Sequence, residues 1–66
     1  MSDTPAAASI AFVERAARQR AAHCREQAAQ FRSMAEIEPL APLRRRLTAL
    51  ARDYDDLAER LELSQS

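Results

Sequence analysis

The hydrophobic positions of the chain fall into two stripes of helical period on either side of a short break. The C-terminal stripe is Leu43, Leu47, Leu50, Tyr54, Leu57 and Leu61, spaced 4-3-4-3-4. The N-terminal stripe is Ala17, Ala21, Cys24, Ala28, Phe31 and Ala35, with the same spacing. Alternating steps of four and three keep side chains on one face of an α-helix, the a/d pattern of packed helices. The break is Glu38-Pro39-Leu40-Ala41-Pro42. A residue that precedes proline avoids the α region, so Pro39 stops the first helix near Ile37. Proline is tolerated in the first helical turn, so Pro42 opens the second. The pattern predicts an all-α antiparallel two-helix hairpin, with helices over about 5–37 and 42–63. Thr4 reads as the first N-cap with Pro5 at the first helical position, the alternative being a start after Ser9. Residues 1–4 and 64–66 are expected to fray.

Folding the chain about residues 39–40 pairs positions whose numbers sum to about 79. Phe31 then meets Leu47, Ala28 meets Leu50, Cys24 meets Tyr54, Ala21 meets Leu57, and Ala17 meets Leu61. Small side chains on one helix face large ones on the other, as a tight antiparallel pair requires. The expected core is therefore the twelve stripe residues, and this register stands only if Leu50 and Leu57 are covered. Ala51 and Ala58 widen the apolar face of the second helix. Ile10, Phe12 and Val13 lie where the longer first helix overhangs the second. These five residues are the expected surface for a partner.

Composition narrows the choice further. The chain has 66 residues, which is one domain, with no glycine and no asparagine, so β-hairpin turns have nothing to form from. Domains this small usually need a staple. One cysteine excludes an internal disulfide, and Cys24 with His23 cannot complete a four-ligand zinc site. Oligomerisation remains, and a dimeric four-helix bundle is expected.

Ten basic and ten acidic residues cancel, so no global field draws nucleic acid or an anionic membrane. The charges are segregated, however. Residues 14–25 carry four arginines against Glu14, and residues 53–62 carry five acids against Arg60. A hairpin sets these stretches side by side. Within the second helix the order opposes the macrodipole, with Arg44, Arg45 and Arg46 at the N-terminal end and acids toward the other. A second copy of this helix, running antiparallel, would compensate both ends. The N-terminus has no basic stretch followed by an apolar run, and no segment approaches ~18 apolar residues. The expected address is the cytosol, with no membrane partner.

Candidate chemistry is thin. Adjacent His23 and Cys24 diverge by ~100° on a helix, and Cys24 falls on the seam as a small hydrophobe. Asp53, Asp55, Asp56, Glu59 and Glu62 lack the Glu-x-x-His partner of carboxylate di-metal bundles, so a solvated face is expected. Arg44, Arg45 and Arg46 are the candidate anion contact, although successive helical positions point three ways. No catalytic, metal or cofactor residues are assigned. An enzyme is not expected, because no nucleophile, base and oxyanion donors can be assembled.

The elements Ala22-His23-Cys24-Arg25-Glu26-Gln27-Ala28 and Leu50-Ala51-Arg52-Asp53-Tyr54-Asp55-Asp56-Leu57-Ala58, joined by a proline turn, resemble a type of short bacterial helical-hairpin protein. The resemblance covers roughly residues 20–62 and implies the hairpin fold but no activity. The architecture is also similar to the plasmid copy-number regulators, which are RNA-binding hairpin dimers. The expected function is a homo-oligomeric interaction module, a small adaptor or regulator. One alternative is an RNA-binding bundle using Arg44, Arg45 and Arg46, against which the zero net charge weighs. Another is a small subunit that docks a larger protein through the overhang of its first helix.

Overall fold

The computed structural model describes residues 6–64, which form two antiparallel helices, α1 (Ala6–Ile37) and α2 (Ala41–Leu63). The cap expected at Thr4 and Pro5, and the fraying of residues 1–4, 65 and 66, lie outside the described residues. Alanine-rich, glycine-free sequence sustains the 32 residues of α1 without a break. At ~1.5 Å per residue α1 is about 48 Å long and α2, with 23 residues, about 35 Å. The result is a rod of 61 × 16 × 12 Å.

The turn is built from three residues and two side chains. Glu38, ahead of Pro39, leaves the helix, and its N–H donates to the Ala35 carbonyl at 3.3 Å. Leu40 is the N-cap of α2 with an extended backbone, φ −86° and ψ 117°, and has no side-chain acceptor of its own. The Glu38 carboxylate instead accepts the N–H of Leu40 itself at 3.0 Å. Arg44 reaches back to donate from Nη1 to the Glu38 carbonyl, also at 3.0 Å. Pro42 falls in the first turn of α2, where its missing N–H has no intrahelical acceptor to lose. The second helix begins at Ala41. At the far end Ser64 is a C-cap: its N–H donates to the Arg60 carbonyl at 3.0 Å and its hydroxyl to Leu61 at 2.9 Å.

The seam on α1 is the predicted one. Ala21, Cys24, Ala28 and Ala35 are buried, with Ala17 and Phe31 half-buried beside them. The seam on α2 is not. Leu43, Leu50 and Leu57 are 44%, 37% and 42% exposed, while Ala51 and Ala58 are 0% exposed. The contact stripe on α2 is therefore Leu47, Ala51, Tyr54, Ala58 and Leu61, spaced 4-3-4-3. The helix is rotated by about 50°, half a residue's turn, from the expected face. Three of the predicted residues are common to both stripes, and the other three face outward.

The physical reason is close approach. Ala21, Cys24 and Ala58 form one buried cluster, with Tyr54 and Leu61 packed against it. Alanine or cysteine at the contact on both helices lets the axes come close enough for backbones to shield one another. A leucine at 51 or 58 would hold them apart. The expected pairing of Ala21 with Leu57 is thus replaced by contact with Ala58, and Ala28 is buried while Leu50 is 37% exposed. Two large side chains also meet across the seam, Tyr54 stacking on Phe31 with ring centroids 5.5 Å apart and planes 26° from parallel. Such a pair adds about 0.5–1.5 kcal/mol beyond its buried area.

Two substitutions test this frame. Ala58→Leu inserts three carbons where there is no room and should cost about 1–3 kcal/mol in urea unfolding followed by circular dichroism. Unchanged stability would contradict the close contact. Glu38→Ala removes the acceptor for the Leu40 N–H and should cost about 0.5–1.5 kcal/mol, with Glu38→Gln recovering most of it.

Candidate interaction surface

Rotation of α2 gives the hairpin two unlike flanks. Residues two apart on a helix point ~200° from each other, so Asp55 and Leu57 fall on opposite sides of the seam. On the first flank Arg32 pairs with Asp55 and Arg25 pairs with Glu62. Both pairs repeat at seven-residue spacing on each helix, so they run as a ladder parallel to the core. Their side chains are about half exposed, and each pair adds only ~0.2–1 kcal/mol. Their larger effect is on register, because a slip by one residue would break both at once.

The second flank is apolar along α2. Leu43, Leu50 and Leu57 follow one another at seven-residue intervals, and each is partly exposed. Leu57 and Leu61 line a shallow groove with Ala16, Gln19, Arg20, His23 and Cys24 of α1. At the turn, Leu40, Pro42 and Leu43 continue the apolar surface, with Arg46 beside them. Met34, 48% exposed, lies on α1 near the same end. The row of three leucines is the feature that the sequence reading placed in the core. Its signal was present all the same: two leucine rows and an alanine pair overlap on α2, and Ala51 and Ala58 repeat at the interval of Ala21, Ala28 and Ala35.

The residues expected to meet a partner divide. Ala51 and Ala58 are fully buried in the hairpin and unavailable to another chain. Ile10, Phe12 and Val13 are exposed. Ile10 and Val13 line a groove with Ser9, Glu14, Ala17 and Ser64, so the end of α2 reaches the start of the overhang without covering it.

The arginine cluster also divides. Arg44 is engaged at the turn through the Glu38 carbonyl, whereas Arg45 and Arg46 are exposed. The structure therefore does not gather the three guanidiniums at one anion site. Cys24 is a buried free thiol on the seam, beside Tyr54, and His23 is exposed. Among the described residues no three of His, Cys, Asp and Glu come together as a metal site, and no helix is long and apolar enough to cross a membrane. No polar side chain among them is buried. Comparison with known protein families, curated proteins and solved structures finds no match.

The division within the arginine cluster can be measured. Arg44→Ala should lower stability by about 0.5–1.5 kcal/mol through loss of the turn bond. Arg45→Ala, at an exposed site, should stay within about 0.5 kcal/mol of the parent. Binding to an RNA hairpin that falls steeply with salt, and a slope flattened by replacing Arg45 and Arg46, would instead assign the cluster to nucleic acid.

Proposed function

We propose that the protein is a non-enzymatic interaction module that works in the cytosol as a homodimer, two hairpins making a four-helix bundle. The carrying observation is the exposed row of Leu43, Leu50 and Leu57 on one flank of a hairpin whose own core is mostly alanine. A core of methyl groups removes little apolar area from water, and area is what drives folding at about 25 cal/mol per Å². Some 60 ordered residues cost far more backbone entropy than a seam of alanines offsets. The rod shape points the same way. Its radius of gyration is 16.8 Å, against about 11 Å for a compact chain of this length. Burying the leucine row against a second hairpin supplies the missing core without a disulfide or a metal.

A second reading rests on Ile10, Phe12 and Val13. These exposed residues stand on the overhang of α1, away from the leucine row, and suit a larger protein partner. The two readings are compatible, since they use different surfaces.

Light scattering and sedimentation equilibrium at micromolar concentration decide the first. A mass of twice 7.4 kDa is expected, with helicity that falls on dilution. A single-chain mass with full helicity and cooperative melting would sink the dimer. Removing residues 1–13 should leave a two-chain assembly, its mass lower only by the residues removed.

A further inference from the structure

We infer that the second copy docks α2 against α2, antiparallel, about a two-fold axis at Leu50. This rests on the homodimer reading above and specifies its surface and topology. The leucine row runs from Leu43 to Leu57 with Leu50 midway, so its spacing is symmetric about that residue. Reversing one copy sets Leu43 against Leu57 of the other and Leu50 against itself. The contact is then isologous and closed.

Charge selects the direction. Arg46 and Asp53 both lie one step outward from the leucine row, at seven-residue spacing, and both are exposed. Arg46 borders Leu43 in the surface groove at the turn. In the antiparallel arrangement Arg46 of each copy falls opposite Asp53 of the other, which makes two symmetric ion pairs. A parallel two-fold arrangement would put this flank of the two copies on opposite edges of the contact, so neither pair could form. Complementary charges flanking an apolar core fix register and suppress the wrong partner. The same reversal brings the basic start of each α2, which has no acidic residue in its first turn, to the acidic end of the other.

The choice of α2 rather than α1 as the partner face also follows from the flank. Beside Leu57 the α1 residues lining the groove include Gln19, Arg20 and His23. Burying these would strip water from polar groups with no partners in sight. The leucines have no such cost. The chain exposes 5145 Å², against about 4,200 Å² for a compact protein of 7.4 kDa, so the rod carries surface that a partner can cover.

The test uses the full chain and two readouts, with mass measured first. Arg46→Asp and Asp53→Arg should each weaken association about tenfold or more, because each sets like charges together at two places. The double variant should return dimerisation to near the parent level. Arg46 and Asp53 are two helical turns apart within one chain, so nothing internal explains such a rescue. In a Cys24→Ala background, Leu50→Cys should cross-link to its own copy with a short bismaleimide. Leu57→Cys should not, because its two copies are ~21 Å apart along the axis. A monomeric parent chain overturns both this inference and the homodimer reading. A dimeric parent without charge-swap rescue, or with Leu57→Cys linking as readily as Leu50→Cys, overturns the antiparallel α2 docking alone.

Discussion

Helices that share a single seam come close only where nothing larger than a methyl or a thiol stands between them. Ala21, Cys24 and Ala58 meet that condition in this hairpin, with Ala28, Ala35 and Ala51 buried along the same line. Once those contacts set the rotation of α2, the rest follows. Tyr54 and Leu61 fall in beside the cluster, Asp55 and Glu62 turn toward Arg32 and Arg25, and Leu43, Leu50 and Leu57 turn away. The ion ladder and the leucine row are two consequences of one choice of contact face.

The turn reinforces that geometry by using side chains in place of the glycine that the chain lacks. Glu38 serves the connection twice, through its carboxylate to Leu40 and through its carbonyl to Arg44. A leucine N-cap would otherwise leave an N–H at the start of α2 without a partner. The arrangement explains why one of three successive arginines is withdrawn from any shared role. It also puts a cation at the positive end of a helix dipole, an unfavourable placement unless acids approach from outside the helix.

Alanine contacts give precision of approach and little burial. Small residues let the backbones shield each other, yet remove little apolar area, so a hairpin can be well defined in register and still thinly stabilised. Leu43, Leu50 and Leu57 stay partly exposed beside that seam. In the proposed dimer the segregation of charge along α2 would act as the direction signal. This links the local choice of alanine over leucine at the seam to the proposed oligomer.

Helical periodicity, the two prolines and the absence of glycine were enough, by themselves, to determine two helices, their bounds to within a residue or so, and their antiparallel pairing. These are local properties: each depends on residues near in sequence, and each turn of helix votes independently. The seam of α1 was legible for the same reason, since one stripe of small residues had no rival on that helix. On α2 two stripes compete, one through Leu43, Leu50 and Leu57 and one through Ala51 and Ala58, and they share Leu47, Tyr54 and Leu61. Hydrophobicity favours the leucines, so a reading from pattern alone put them inside. Only the tertiary structure decided the matter, because the distance between helices depends on both partners at once. With alanine and cysteine already on α1, matching alanine on α2 gives the closest approach, and the leucines are left on the surface.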